Sequence, residues 1–356
     1  MDRQGRRRRA WQRGLARRAP CSHPAVRPDR RPELHRLGPL TPAHRAYRRQ
    51  SKPSRAKEPD VSLSNFNTPS PIAVALDLYV ADVRLVVSDR ADTIVDVRPG
   101  DPDKSADVKA AENTRVEYDE ATRTLSIVSR KPRSRFVNFS SKRPESIDVI
   151  IRLPSDSDVR GEADLGDFVA DGVLGAVAFK TGLGAVHLDG TGPLNLRNGL
   201  GQVSVADVRG SAEVHAGSGD IRIRAVDGTA QVSNGNGKVR VGVVTGPATV
   251  KVSNGSVTVD HALSDITAEN SNGEVRIGEV VRGTVSATTK NGSVEVGVRE
   301  GSAAWLELNT GVGRVYNELP GSAAPEAGEQ VERVKIHAST KLGDVTIRRA
   351  PRLDES

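Results

Sequence analysis

Cysteine, methionine and aromatic residues are scarce in this 356-residue chain. It contains one cysteine, one methionine, two tryptophans, four tyrosines and five phenylalanines. With Cys21 as its only cysteine, the chain cannot form an internal disulfide. A compact core usually relies on aromatic bulk and leucine, so the valine, alanine and glycine found here favour thin, repetitive β layers instead.

Long hydrophobic runs are absent as well. No stretch of 18 apolar residues occurs, so no transmembrane helix is predicted. The arginine-rich N-terminus has no apolar segment behind it and does not resemble a secretory signal. We therefore expect a cytoplasmic location, and surface association stays an open alternative.

The net charge of +7 is distributed unevenly. Residues 1–60 hold 18 Lys and Arg against 5 Asp and Glu, whereas the rest of the chain holds 34 against 40. The basic pI therefore does not indicate a nucleic-acid-binding body, and no nucleic-acid motif is present. Residues 1–60 are rich in Arg and Pro without an apolar period, which predicts a disordered basic tail. This tail is either a basic arm for an anionic partner or translated upstream sequence, with the true start near Val61.

A glycine followed by two alternating apolar positions recurs through the second half of the chain. The steps between these glycines are 17 to 21 residues, with a final step of 30. The ten glycines are Gly166, Gly184, Gly201, Gly219, Gly237, Gly255, Gly273, Gly292, Gly313 and Gly343. The residue two positions later is always apolar, and the residue four positions later is apolar except at Asn317. This alternation indicates half-buried strands, and a short unit that cannot bury its own apolar face is typical of a solenoid.

The fold predicted from this repeat is an all-β, parallel β-solenoid of about ten coils of ~18 residues. Each coil holds a second strand, so that Val239, Val257 and Val275 should stack in register. Residues 61–153 also have β character, with IAVALDL and VRLVVS as separate strands and a hairpin that turns at Asp119–Thr122. They are predicted to form an N-terminal β cap, because an open solenoid end is an unpaired sheet edge. The predicted organisation is a tail (1–60), the cap (61–153), solenoid repeats (154–349) and a C-terminal tail (350–356).

Asparagine precedes the repeat glycine in four successive coils. Glycine supplies a positive φ, and asparagine tolerates left-handed geometry, so each pair is predicted to form a corner. Stacking would bring the asparagines into register as a structural turn ladder. The ladder residues are Asn236, Gly237, Asn254, Gly255, Asn272, Gly273, Asn291 and Gly292.

No residue pattern indicates catalysis, a metal or a cofactor. The histidines of the body fall at four different places in the repeat, which favours exposed single residues. The glycine-rich GSGD and NGNGK segments lack the recurring aspartate that calcium-binding repeats need. No adjacent carboxylate pair appears along the outward rows, which argues against a polysaccharide-cleaving enzyme.

One segment of the body, residues 129–146, combines positive charge with aromatic residues. Such a combination can bind phosphates or a single nucleic-acid strand by charge and stacking, whereas the alternative is a solvated hairpin loop. The candidate ligand-binding residues are Arg130, Lys131, Arg133, Arg135, Phe136, Phe139, Lys142 and Arg143.

The opening NTPSPIAVALDLYVADVRLVVSDRADTIVDVRP, the G-x-V-x-V repeats and the closing AAWLELNTGVGRVYNEL and STKLGDVTIRR resemble a bacterial adhesin-like family of unknown function built of β-strand repeats. The resemblance covers roughly residues 64–349. The resemblance implies a β-solenoid and surface adhesion, and it identifies no catalytic residues. We expect a non-enzymatic interaction module whose partner is an unknown protein or an anionic polymer or surface. The alternative is a self-assembling structural β-helix, and a polysaccharide-active enzyme is the least favoured interpretation.

Overall fold

The computed structural model describes residues 62–129, 145–319 and 332–351, all within the unit Lys57–Ser356. Their 26 strands form one sheet that winds into two facing layers, which we call sheet A and sheet B. The described residues include no helix long and apolar enough to cross a membrane.

The N-terminal region contains six strands and one helix. They are β1 (Ser62–Asn67), β2 (Ala73–Ser88), β3 (Asp92–Pro99), α1 (Ser105–Glu112), β4 (Arg115–Asp119), β5 (Thr124–Val128) and β6 (Ile147–Pro154). β4 and β5 form the predicted hairpin around Asp119–Thr122. The helix was not predicted, since residues 61–153 were interpreted as wholly β. Its sequence SADVKAAE is rich in helix-forming residues, and Ala111 packs against the core.

Ten strand pairs follow, each with one strand in sheet B and the next in sheet A. The sheet B strands are β7 (Asp158–Leu165), β9 (Val177–Leu183), β11 (Leu194–Leu200), β13 (Ala212–Ser218), β15 (Ala230–Asn236), β17 (Ala248–Asn254), β19 (Ile266–Asn272), β21 (Gly283–Asn291), β23 (Ala303–Val312) and β25 (Arg333–Leu342). The sheet A strands are β8 (Phe168–Val173), β10 (Val186–Thr191), β12 (Val203–Arg209), β14 (Ile221–Asp227), β16 (Val239–Val244), β18 (Val257–Ala262), β20 (Val275–Val280), β22 (Val294–Val298), β24 (Val315–Asn317) and β26 (Val345–Arg349). The prediction of a β-solenoid of about ten coils with a β cap is confirmed, and each coil has two strands.

Parallel in-register stacking builds the core. Val239 is opposite Val257, which in turn is opposite Val275, and none of the three is more than 1% exposed. The inward residues of both sheets are nearly all Val, Ile, Leu or Ala, so aliphatic side chains fill one layer after another. Between the first two of these coils, the core is filled instead by Phe168 of β8 and Phe179 of β9, whose rings stack 4.0 Å apart.

The ten repeat glycines all lie between a sheet B strand and the following sheet A strand. All have positive φ; that of Gly255 is 138°. A Cβ on Gly255 would lie 2.0 Å from the carbonyl oxygen of Gly237 in the neighbouring coil. These corners therefore require glycine for two reasons: the positive φ of the backbone and the close approach of the stacked backbones.

Strand β2 shows that the first coil in the sequence is not the first in space. The segments IAVALDL and VRLVVS were predicted as separate strands, but they form one strand that runs through both sheets. β2 pairs with β7 and β8 on one side and with β5 and β6 on the other. The described chain thus begins with β1 at the outer edge of sheet A, forms an inner layer with β2, builds the outer layer with β3 to β6, and returns at β7 to continue the solenoid.

The N-terminal end of the solenoid is closed by antiparallel strands. β6 is followed in sheet A by β3 and β1, and β5 is followed in sheet B by β4. Phe66 of β1 and Tyr118 of β4 meet across this end with ring centroids 5.3 Å apart. We call this assembly of β1, β3, β4 and α1 the closed end.

The C-terminal end departs from the sequential stacking that the repeat implied. β25 and β26 insert between the β21–β22 coil and the β23–β24 coil. The corner glycines accordingly stack in the order Gly292, Gly343, Gly313. The outermost coil is therefore β23–β24, which we call the open end.

Candidate functional site

The asparagines of the predicted turn ladder lie in one column on the outside of the corner. Each side-chain amide donates to the side-chain carbonyl of the preceding coil, from Asn291 to Asn272, Asn254 and Asn236, at 2.7, 2.8 and 2.9 Å. Asn236 in turn donates to the Ser218 hydroxyl at 3.2 Å. This column is an ordered chain of hydrogen bonds between coils.

A second polar column lies inside the same corner, and sequence reasoning missed it. The buried side chains of Asn234 and Asn270 donate to the carbonyl oxygens of Gly219 and Gly255, one coil back, at 2.9 and 2.8 Å. Thr289 and Thr340 make the corresponding bonds in later coils, to the carbonyls of Gly273 and Gly292. The available signal was the N-x-N-G pattern at 234–237 and 270–273: its first Asn is the buried strand residue, and only the second belongs to the outer column.

Aspartates beside the corners bind backbone N–H groups of the neighbouring coil. The carboxylates of Asp167, Asp220 and Asp344 accept the N–H groups of Ala185, Lys238 and Arg314 of adjacent coils at 2.7 to 2.8 Å. Across the described ranges, no group of three or more His, Cys, Asp or Glu side chains is placed to hold a metal ion.

Three of the histidines are each paired with a glutamate. His215 contacts Glu213, His261 contacts Glu279 and His337 contacts Glu307, at 2.8 to 2.9 Å. The pairs lie on separate strands, so they do not assemble into one site.

The outer face of sheet A has grooves in which arginines are matched by acids. Arg240 binds Asp260 at 3.0 Å, Arg224 binds Asp207, and Arg348 binds Glu295 at 2.5 Å. Because these opposite charges lie on adjacent or nearby coils, most of the positive charge on this face is neutralised within the protein.

The outer face of sheet B carries a groove of about 720 Å³ whose lining residues are mostly polar. We call it the sheet B groove. It lies beside the outer asparagine column and spans the strands from β13 to β25 and β23. One wall is an in-register row of side chains on successive strands: Ser233, Lys251, Glu269, Thr288, Ser339 and Asn309.

The floor of the sheet B groove changes along its length. Gly235, Ser253 and Ser271 are small, which leaves the groove concave, and the following two coils present Lys290 and Lys341. These two lysines lie on neighbouring strands. Neither side chain makes a hydrogen bond or an ion pair with any described residue, whereas the side chain of Lys251 on the wall binds Glu269 at 3.1 Å. The groove therefore combines hydroxyl and amide groups with two uncompensated positive charges.

Trp305 stands on the same face, on the outermost strand of sheet B. It is 54% exposed, the ammonium of Lys335 lies 4.6 Å from its ring centroid, and the His337 ring packs edge-on against it at 5.6 Å. The contacts with Lys335 and His337 fix the Trp305 ring, which adds an exposed apolar surface beside the sheet B groove.

The basic and aromatic ligand-binding residues predicted from the sequence, from Arg130 to Arg143, lie outside the described residues. Their role stays a prediction. The sheet B groove was not predicted, because its residues belong to different coils and no run of adjacent letters marks them.

The chain belongs to the Toastrack DUF4097 family, whose model matches residues 81–348. This confirms the resemblance that the opening, repeat and closing segments indicated. No curated protein matches the chain.

Several solved structures resemble this one at low similarity. A candidate adhesin from Parabacteroides merdae is 13% identical with a TM-score of 0.40, and the match covers 81% of this chain and 95% of that one. A candidate lipid-binding protein from Parabacteroides distasonis is 14% identical with a TM-score of 0.39, covering 82% and 97%. A candidate adhesin from Bacteroides fragilis is 14% identical with a TM-score of 0.29, covering 81% and 96%.

Proposed function

We propose that this protein is a non-enzymatic binding module that holds an extended anionic polymer in the sheet B groove. The observation that carries the proposal is the pair Lys290 and Lys341, which face the groove on neighbouring coils without an acidic partner among the described residues. An anionic group bound there would supply the missing counter-charge. The hydroxyl and amide groups along the wall would bind the polar remainder of the polymer.

The shape of the groove supports an elongated ligand. Its residues repeat along the solenoid with the strand spacing of about 4.8 Å, so equivalent contacts are offered to a chain that runs across the strands. A groove of this kind suits a carboxylated polysaccharide better than a compact metabolite, because it is open along its length and has no apolar pocket.

The non-enzymatic assignment is supported by the engagement of the titratable residues. Several aspartates near the corners accept backbone N–H groups, and three histidines are paired with glutamates on separate strands. A general acid or base needs to be placed against a reacting group, and no pair of carboxyl groups converges in the sheet B groove.

The test is to measure binding of the full chain to polygalacturonate by isothermal titration calorimetry at low and moderate salt. The variant K290E/K341E should weaken the affinity at least tenfold, and salt should weaken wild-type binding because exposed charges are screened. The matched control is R222E/K238E. It makes the same change in net charge outside the groove, at residues that have no side-chain partner among those described, and should change the affinity less than threefold.

Two results would contradict the proposal. Equal loss in both variants would mean that only net charge matters, as it would if residues 1–60 bound the polymer. Loss of affinity in R133E/R135E but not in K290E/K341E would mean that the polymer binds the segment 129–146 predicted from the sequence.

A further inference from the structure

The open end leaves core-facing residues uncovered. Val315 of β24 is 44% exposed, whereas Val345 and Val294, the next residues in its column, are completely buried. In sheet B, Leu306 and Leu308 of β23 are only partly buried, although they face the same core. The apolar column of the solenoid thus continues to the last coil and stops there without a cover among the described residues.

The backbone of β23 is also unpaired on its outer side. It pairs in parallel with β25, and Ala303 donates its N–H to the Glu332 carbonyl at 2.9 Å. Because backbone groups alternate in direction along a strand, those of Ala304, Leu306 and Leu308 point away from β25. No other described strand receives them. An apolar, ten-residue parallel edge of this kind is a template for pairing with another strand.

Among the described residues, only the open end has this apolar parallel edge. The other end finishes in the antiparallel edge strands β1 and β4, so a parallel head-to-tail contact that would propagate into a filament is disfavoured. Two open ends can still meet face to face. Such a contact uses the same surface on both copies, so the assembly is complete as a dimer.

We propose that the partner of the open end is a second copy of this chain, and that the β23 strands of the two copies pair antiparallel about a two-fold axis at Leu308. In this register Leu308 lies opposite Leu308 of the second copy and Leu306 lies opposite Thr310, so the core continues across the contact. On the outer face, Glu307 lies opposite Asn309 and Trp305 lies opposite Gly311.

Charge selects this register over the neighbouring one whose two-fold axis lies at Glu307. A shift by one step would place Glu307 directly against its own copy, and like charges opposite one another destabilise a strand pair. In the proposed register the backbone groups of residues 306, 308 and 310 can form about six hydrogen bonds with the second copy.

The first experiment is disulfide trapping with full-length protein that carries C21S. Residues 307 and 309 of opposite copies form a non-hydrogen-bonded pair with Cα atoms about 4.5 Å apart, which is within disulfide range. The variant E307C/N309C should give a covalent dimer on a non-reducing gel. The matched control Q231C/S233C, on the outward face of the central strand β15, should stay monomeric.

Three outcomes of trapping overturn the proposal. They are no cross-linking of E307C/N309C, equal cross-linking of the control, and cross-linking of E307C alone, which would mean the register with Glu307 opposite itself.

The second experiment is sedimentation velocity of the wild type over a range of concentrations. We expect a reversible monomer–dimer equilibrium, with the dimer weakened at least tenfold in L308K, which places a charge on the two-fold axis. If L308K alters the circular dichroism spectrum, L306P replaces it, since a proline there removes only an outward N–H group. A wild-type monomer at all concentrations, or growth beyond a dimer, contradicts the proposal.

Discussion

A ladder of parallel strands and an apolar column stop at both the closed end and the open end of the solenoid. The two ends differ in how far the last layer is covered. At the closed end, antiparallel strands, a charged edge strand (RVEYD) and the Phe66–Tyr118 contact cover the column. At the open end, the last coil leaves Val312, Val315 and Trp305 exposed. The difference shows that a solenoid end is protected only where the chain leaves the repeat and changes strand direction.

The strongest way to test this comparison is to disturb a corner in the middle and a corner at the open end. Gly255→Ala should destabilise the fold by about 3 kcal/mol or more, because alanine at positive φ is strained and its Cβ would meet the Gly237 carbonyl at 2.0 Å. Gly313→Ala meets the Gly343 carbonyl at 1.9 Å, but its coil has no described coil beyond it and can move outward. Urea unfolding should show a clearly smaller loss for Gly313→Ala; equal losses would mean that the outer coil is held as rigidly as an inner one.

Truncating one leucine at each end compares the two covers directly. Leu125, in β5 beneath the β4 edge, is completely buried, and Leu125→Ala should cost about 3 kcal/mol because it leaves a cavity. Leu308→Ala should cost about 1 kcal/mol in the monomer, since that side chain is already partly exposed. Both values come from denaturant unfolding at a protein concentration low enough to exclude dimers. A larger loss for Leu308→Ala would mean that the open end is covered in solution.

The inner polar column distinguishes the middle of the solenoid from both ends. Asn270→Val should cost about 1–2 kcal/mol, because the partly buried Gly255 carbonyl loses the hydrogen bond from the Asn270 amide. Asn270→Thr is the matched control. Because Thr289 makes the equivalent hydrogen bond in the next coil, threonine should retain most of the stability that valine loses. Thermal unfolding measures both. Equal destabilisation by valine and threonine would mean that side-chain volume, and not the hydrogen bond, sets the effect.

The smallest expected effect is a pH dependence at the closed end. Burial alone would raise the pKa of Asp107, but hydrogen bonds from Lys104 and Ser146 outweigh it and hold the pKa below its ordinary value. The ionised carboxylate therefore stabilises the fold fully above the unfolded pKa of about 3.9, and this contribution is lost as the pH falls through the lower folded pKa.

Asp107→Asn should consequently remove on the order of 1 kcal/mol at neutral pH and nothing at the acid limit. Unfolding free energies of the variant and the wild type should converge below about pH 4. A difference that stays constant with pH would show that the carboxylate charge has no part in holding α1 against β6.

The coil itself was predictable from the sequence because its determinants are local. Glycine at each corner, alternating valines after it and a period of about 18 residues together determine one strand–corner–strand unit. Stacking follows, because such a unit buries its apolar face only against a copy of itself. The outer asparagine column could be proposed in the same way, since equal spacing brings the same residue type to the same place in every coil.

The order of the terminal coils and the binding groove were decided only by the tertiary structure. β2 and the β25–β26 pair carry the same alternating pattern as their neighbours, so the pattern cannot distinguish a strand added at the end from one inserted between two coils. Which of the two asparagines in an N-x-N-G segment is buried depends on the stacked coil, because the buried one donates to a glycine carbonyl one coil back. The two unpaired lysines of the groove come together through pairing between strands 51 residues apart in the chain, a distance at which periodicity carries no information about neighbours.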